Sequence, residues 1–521
     1  MSLALYVLLC AGLVFAQSAA NLEQLVGSTV ERARQEFNVP GISVAIVKDG
    51  KVVLAKGYGV RNRTTQAPMT EHTLVGIASN TKAFTSAALA MLVDDGKLDW
   101  SDRVIDKLPE FAMSDPYVTR EMRIRDLPCH RSGLGLGAGD LMYFPVSDFK
   151  PADVLYRLRF VPLKHSFRER YDYDNILYNV MGALVEKVSG KGWEQFIRER
   201  FFAPLGMTAS LTSVSLLKPE HEAAAPHAIA DGVLKTLEHA PLDSVAPAGS
   251  LVSSAIDLTR WVLTLLGKGK TAEGKQLISE AQMKTLWTPL IFTGTPTPPV
   301  ELAEAKANFS AYAMGEGISE YRGQLKVSHT GGLVGMVTSV AMLPEQKLGV
   351  IVLTNHQEGG AFASVTNTIF DHYLQAPPKD WVAAYSSRRK KAIADALKAV
   401  AEATSKRNVN SKPSLAPSAY AGRYRDPWYG DVHVTEANGE LTMRFSHSPA
   451  LTGRLEHFQY DTFIARWKDR SLDADAYVTF QLDPQGKVKG VDMKAVSPLT
   501  DFSFDFHDLR LAPVAANAPQ Y

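Results

Sequence analysis

The segment Thr81–Leu92 reads TKAFTSAALAML, with apolar or small side chains on nearly every face of a helix. Such a helix has no polar stripe to turn towards water, so it belongs in the middle of a larger assembly. Other elements must surround it, and 521 residues are too many for one ordinary domain. A composition of 45% hydrophobic and 21% charged residues supports a sizeable core. Gly96 is placed to end the helix. Ser79-Asn80-Thr81-Lys82 opens it. Positions i and i+3 share a helix face, so the Lys82 amine can reach the Ser79 hydroxyl. The positive helix N-terminus favours a developing alkoxide, and burial lowers a lysine pKa towards neutrality, as a lysine base requires. Three other Ser-x-x-Lys matches, Ser147/Lys150, Ser215/Lys218 and Ser387/Lys390, fall in a loop, before a proline and in an exposed helix. They read as chance.

Around this centre, residues 22–37 have helical spacing, and 41–57 read as a hairpin turning at Asp49-Gly50. Residues 100–320 are mostly helices and long loops. Strands follow at 337–343 and 348–354, then a helix near 361–374. Strands at both ends with helices between them predict one sheet assembled from the two termini, carrying an inserted helical lobe. Pro377-Pro378 marks a boundary, 381–404 a connecting helix and RNVNSKPSLAP a polar linker. From Ala419 the texture changes to short alternating strands, including DVHVTE, ELTMRFS, YDTFIARW, DAYVTFQL, KVKGVDMKA and DFSFDFHDL. The expected fold class is therefore α+β: an antiparallel sheet flanked by helices with a helical lobe, plus a C-terminal antiparallel β-barrel. The boundaries are a leader over 1–16, a first domain over 21–376, helix and linker over 377–412, and the barrel over 413–521.

The leader, LALYVLLCAGLVFA, is apolar and uncharged but short for a membrane span, which needs about 20 residues. Val14-Phe15-Ala16 fits cleavage before Gln17, so an exported, periplasmic or secreted bacterial protein is expected, although the n-region lacks Lys and Arg. Cys10 leaves with the leader, and Cys129 alone cannot form an intramolecular disulfide. Fifty-six Lys+Arg against 55 Asp+Glu give a net charge of +1, which offers no case for a nucleic-acid partner. The basic run Arg388–Lys391 reads as a solvated helix face. No later run is apolar enough for stable membrane insertion. His221, Glu222, His227 and His239 lack zinc-ligand spacing, so neither metal nor cofactor is expected.

Two further elements carry chemistry. Tyr173-Asp174-Asn175 precedes the helical pattern ILYNVMGALVEKVSG, on a turn from which side chains can enter a cleft. A tyrosine beside a lysine cation loses its proton more easily and can shuttle it to a leaving group. Asn175 could bridge Lys82 and a substrate amide. His329-Thr330-Gly331-Gly332 follows the strand QLKVS. Glycines there let backbone approach a substrate, and the Gly332 N–H could pair with that of Ser79 as an oxyanion hole. The glycine-rich GLGLGAGD (133–140) lies beside the cleft on this reading, with Tyr143 and Phe144 as substrate-contacting aromatics.

In order and spacing these elements resemble the S-x-x-K, Y-x-N and K/H-T-G motifs of the penicillin-recognising serine enzymes: class C β-lactamases, DD-peptidases, D-aminopeptidases and related esterases. RIRDLPCHRSGL (123–134), FAPLGM (202–207) and PAGSLVSSAIDLTRWV (247–262) extend the resemblance across about 22–375. It implies a β-lactamase/transpeptidase-like fold, Ser79 as nucleophile, and Lys82 and Tyr173 as acid/base pair. Asn175, His329, Thr330 and Gly331 would bind substrate, and the N–H groups of Ser79 and Gly332 would form the oxyanion hole. The C-terminal segment ending in TDFSFDFHDLRL looks like the lipocalin-like barrel of some family peptidases, where it restricts access. Two departures stand out: Asp174 puts a charge where Ser or Ala is usual, and His329 stands where β-lactamases have Lys. The expected activity is acyl-enzyme hydrolysis of small esters, or of amides and short peptides that include D-residues. The alternatives are a penicillin-interactive DD-peptidase or β-lactamase, and a non-catalytic binding protein of the same fold. Homo-oligomerisation is left open.

Overall fold

The computed structural model describes residues 20–295 and 297–515; the leader and Cys10 lie outside them. Nine antiparallel strands form the main sheet, in the spatial order Ala67–Pro68, Lys51–Asn62, Gly41–Lys48, Leu348–Thr354, Met336–Leu343, Gln324–Leu333, Gly317–Tyr321, Ser310–Tyr312 and Ile291–Phe292. The first hairpin turns at Asp49 (φ 51) and Gly50 (φ 76), the left-handed pair that a two-residue loop between twisted strands requires. Gly41–Lys48 pairs directly with Leu348–Thr354, so the two ends of the first domain meet mid-sheet.

Both central strands are buried on both faces, which explains their unbroken apolar sequences GISVAIVK and LGVIVLT. Ile42, Val44 and Ile46 pack with Val26 and Val30 of the helix over 20–36 and with Val365 and Ile369 of the helix Gly359–Tyr373. Ala45 and Val47 point the other way, into the core that contains the Thr81–Asp94 helix. That helix is buried from Thr81 to Leu92. Phe84 stacks on Trp261 at 4.4 Å between centroids and meets Phe201 edge-on at 5.8 Å. Thr85 Oγ donates to the Pro247 carbonyl (2.7 Å) and accepts from Trp193 Nε1 (3.0 Å), so this buried hydroxyl is satisfied.

The sheet extends further than its sequence pattern predicts. Ile291–Phe292, Ser310–Tyr312 and Gly317–Tyr321 lie in the stretch expected to be helices and loops. They are too short to show an alternation, and ladder bonds to their neighbours define them. His329–Leu333 likewise lies within Gln324–Leu333 rather than following it.

The C-terminal part is an eight-stranded antiparallel sheet in the order Val488–Ala495, Ala476–Leu482, Thr462–Trp467, Thr452–Gln459, Glu440–Phe445, Gly430–Ala437, Gly422–Asp426 and Ala512–Pro513. A bridge between Val491 and Leu511 brings its ends together, giving a nearly closed barrel. Its core is aromatic: the rings of Tyr420, Tyr424, Phe463 and Phe480 form one buried group, and those of Phe445, Trp467 and Phe506 another. DFSFDFHDL is not one of the barrel's strands. Asp501 accepts from Ser503 N (2.9 Å), and Asp505 accepts from the N–H groups of Gly139 and Leu141 in the first domain. Such side-chain bonds divert backbone from a ladder despite the alternating phenylalanines. The basic run at 388–391 lies on the helix Trp381–Ser405, where Arg389 pairs with Glu358, Lys390 with Glu36 and Lys391 with Asp395. No helix among the described residues is long and apolar enough to cross a membrane.

Phe84→Ala removes the aromatic wedge between the central helix and Trp261. The expected loss is about 3–5 kcal/mol in urea unfolding of the first domain, the range for leaving a void in place of a buried phenylalanine. A loss below about 1 kcal/mol would mean that this cluster does not hold the helix in place.

Candidate functional site

A short 3-10 turn, Ala78–Asn80, leads into the central helix. Ala78 has φ 48, a left-handed conformation uncommon for alanine and frequent at functional turns. Asn80 Nδ2 donates to Ile77 O and to Thr338 Oγ, pinning the turn to the strand Met336–Leu343. Ser79 stays partly exposed, whereas Lys82 is completely buried.

Lys82 Nζ lies 3.1 Å from Ser79 Oγ, 2.6 Å from Asn175 Oδ1 and 3.0 Å from the Ala248 carbonyl. Tyr173 and Tyr178 present their rings at 4.9 and 5.0 Å from Nζ. Burial lowers the Lys82 pKa to about 7, against the opposing influence of Asp140 and Asp174. A free amine has two N–H bonds and one lone pair. The two carbonyl oxygens take the N–H bonds, which leaves the third direction, towards Ser79 Oγ, for the lone pair. The arrangement is that of a base aimed at a hydroxyl.

Tyr173 and Asn175 stand at the entry to the helix Ile176–Ser189. The expectation that a lysine cation eases deprotonation of Tyr173 is not met. Burial pushes the phenol pKa well above its usual value, and only its hydrogen bond with Ser79 acts against that. Tyr173 is therefore a neutral donor at rest, and Lys82 is the group poised near neutrality. Asp174 is near the site, as its place in the motif predicts, but off the cleft wall. Its carboxyl is fully buried beneath the site, where Oδ2 accepts from Ser132 Oγ (3.1 Å) and burial raises its pKa to about 7.

His329, Thr330, Gly331 and Gly332 line the opposite wall. A Cβ on Gly331 would lie 2.1 Å from Ile77 O and 2.5 Å from Thr338 Oγ, so only glycine lets this strand close on the Ala78–Asn80 turn. A Cβ on Gly332 would meet nothing within 4 Å. His329 Nδ1 is 2.5 Å from Thr330 O, an acceptor, so Nδ1 carries the proton; Nε2 then accepts from Tyr312 OH at 2.8 Å. Burial, followed by the nearness of Lys82, lowers the His329 pKa to about 3. The imidazole is neutral.

The cleft between these walls holds about 640 Å³. Tyr143, Phe144, Tyr171, Tyr312 and Phe362 give it an aromatic lining, and Phe502 of the C-terminal segment closes one side. Among the described residues no Lys or Arg lines it, and Asp501 is its one formal charge. Sequence reasoning gives no role to Tyr312, Asp140, the Ala248 carbonyl or Phe502. Ala248, Asp140 and Phe502 fall in stretches that it singles out, PAGSL, GLGLGAGD and TDFSFDFHDLRL; Tyr312 does not. Among the described residues no group of three or more His, Cys, Asp or Glu side chains is placed to hold a metal ion.

Residues 26–373, more than half of the chain, match the family described as Beta-lactamase. Residues 406–513 match a second family, described as a domain of unknown function. The chain is 28% identical to Unguisins hydrolase ungD' of Aspergillus campestris over 433 residues, covering 79% of this chain and 78% of that one. It is 26% identical to Protein flp of Staphylococcus aureus, covering 64% and 63%. Among solved structures, the octameric penicillin-binding protein homologue from Pyrococcus abyssi superposes with a TM-score of 0.59 at 22% identity, covering 93% of this chain and 98% of that one. EstCE1, a hydrolase with promiscuous acyltransferase activity, gives 0.57 at 19% identity, covering 68% and 99%. At these identities the superpositions establish the fold.

The two adjacent glycines make a paired test. Gly331→Ala must push the strand off the Ala78–Asn80 turn and should slow hydrolysis about 10²-fold, the cost of roughly an ångström of misplacement. Its melting temperature should fall below that of Gly332→Ala, whose methyl enters open space. Equal melting temperatures and rates would contradict the close approach.

Proposed function

The chain belongs to the Beta-lactamase family and is a serine hydrolase of that type, and on that premise we propose that Ser79 is its nucleophile and Lys82 its base. The observation that carries the assignment is the buried Lys82 amine with two carbonyl acceptors and its third direction on Ser79 Oγ. In the proposed cycle Lys82 takes the Ser79 proton as Oγ attacks the substrate carbonyl carbon. The N–H groups of Ser79 and Gly332 receive the oxyanion. The intermediate collapses to an ester on Ser79, and the leaving alcohol or amine takes its proton from Tyr173, which Lys82 reprotonates through the same network. Water then attacks the acyl-enzyme, the Lys82–Tyr173 pair takes its proton and returns it to Ser79 Oγ as the ester bond breaks, and the carboxylic acid leaves.

The substrate reading is small esters, or amides and short peptides including D-residues, without a carboxylate beside the scissile bond. It is supported by a neutral His329 and by a cleft lining without Lys or Arg. A penicillin carboxylate would find no cation at the strand that receives it. The aromatic walls favour an apolar acyl group or side chain. The apolar leader over residues 1–16 supports export, and therefore substrates met outside the cytoplasm.

A fluorophosphonate should label the wild-type protein once, at Ser79, and should not label Ser79→Ala. In a parallel screen, p-nitrophenyl esters and D- or L-aminoacyl anilides should be turned over with higher kcat/KM than nitrocefin. Labelling that survives in Ser79→Ala would remove the nucleophile assignment, and faster turnover of nitrocefin would reverse the substrate reading.

A further inference from the structure

The Asn175 amide can face Lys82 with either end, and only one end suits a base. Oδ1 accepts a Lys82 N–H and leaves the lone pair on Ser79; Nδ2 would compete for that lone pair. What fixes the choice is a second carboxylate. Asn175 Nδ2 donates to Asp140 Oδ2 at 2.9 Å, and an ionised carboxylate can only accept, so Oδ1 is turned to Lys82. Asp140 is fully buried, and burial raises its pKa to about 7. Its charge is held by three donors: Asn175 Nδ2, the Tyr143 hydroxyl, and Ser503 Oγ at 2.7 Å from Oδ2.

Ser503 belongs to the C-terminal segment, 363 residues away in sequence. The same segment grips the Asp140 turn elsewhere. Asp505 accepts from Gly139 N (2.7 Å) and Leu141 N (3.1 Å), and Lys164 pairs with Asp508 at 2.5 Å. Phe504 packs edge-on against Phe144 at 5.2 Å. The glycine run fits this embrace: a Cβ on Gly137 would lie 2.8 Å from the Phe502 carbonyl oxygen. The charged and titratable groups near Asp140 are Lys82, Tyr143, Asp174 and Asp505. Of these only Lys82 favours its ionised form by charge.

We infer that Ser503 and Asp140 are positioning residues for the proposed base. Together they form a chain, Ser503–Asp140–Asn175–Lys82, through which the C-terminal domain sets the amide that aims Lys82 at Ser79. This rests on the assignment of Ser79 and Lys82. It predicts an enzyme whose barrel segment is part of the catalytic apparatus rather than a cover over it.

The test uses full-length Ser503→Ala, Ser503→Thr and Asp140→Asn, with p-nitrophenyl ester kinetics, fluorophosphonate labelling rates and melting temperatures. Ser503→Ala should lower kcat and the labelling rate about tenfold with KM within about twofold, because alignment is lost and binding is not. Ser503→Thr, which keeps the hydroxyl, should recover most of that loss. Asp140→Asn can offer its own N–H to Asn175 and reverse the amide, so it should lose at least about 10²-fold in kcat. Wild-type kcat in Asp140→Asn would overturn the inference. So would a Ser503→Thr enzyme no faster than Ser503→Ala at equal melting temperature. Should Ser503→Ala fail to fold, the inference stands or falls on Ser503→Thr, expected near wild-type kcat, and on Asp140→Asn. Wild-type labelling at Ser79 decides the nucleophile assignment separately from these ratios.

Discussion

The burial of one lysine amine constrains most of the molecule. Lys82 enters a helix that has no polar face, so its amine loses all contact with water. A charged ammonium there would be costly, and the group responds by titrating near neutrality. Its hydrogen bonds must then come from the protein, and they are drawn from distant places: a side chain at 175, a backbone carbonyl at 248 and the hydroxyl at 79. Bringing these together requires the helical lobe to wrap around the central helix, and the sheet to supply the strand that closes on Ile77. Fold and site are two consequences of the same buried amine.

Aromatic rings line the surroundings, and burial shifts their titratable groups towards the uncharged forms. In the strand wall, His329 is uncharged because Tyr312 and a backbone carbonyl satisfy both of its ring nitrogens while burial disfavours the imidazolium. Tyr173 stays a phenol. Asp140 and Asp174, the carboxyls that act on Lys82, both have pKa values raised to about 7 by burial. Without Lys or Arg in its lining, the cleft offers no counter-charge to an anionic group beside the scissile bond, which is the basis of the proposed substrate preference. The C-terminal segment completes the enclosure through Phe502, whose ring meets Tyr173 edge-on at 5.9 Å.

The parts of this arrangement legible in the sequence are those set by local patterns. An all-apolar helix implies its own burial, and the unbroken runs GISVAIVK and LGVIVLT mark the two-sided centre of a sheet. Ser79, Lys82, Tyr173 and Asn175 sit in short motifs at helix entries, and the structure gathers all four within one hydrogen-bonded group. What sequence does not convey depends on pairing across long separations. Ser310–Tyr312 and Gly317–Tyr321 are strands only because of the strands beside them, ending in Gln324–Leu333. DFSFDFHDL alternates like a strand, yet Asp501, Ser503 and Asp505 turn their side chains to local turns and to the first domain. The direction of the Tyr173 shift is hidden for a related reason: proximity to a lysine is visible in a motif, whereas the desolvation of the phenol by residues distant in sequence is not.

The most direct test of the whole arrangement is the titration of the Lys82 amine itself. Full-length protein carrying ¹³C-labelled lysine, compared with Lys82→Met to assign the resonance, would be followed by NMR from acidic to alkaline pH. A midpoint near 7 is the expected result. A Lys82 amine that titrates near the ordinary lysine value of 10.5 would contradict it, because an ammonium at neutral pH cannot take the Ser79 proton.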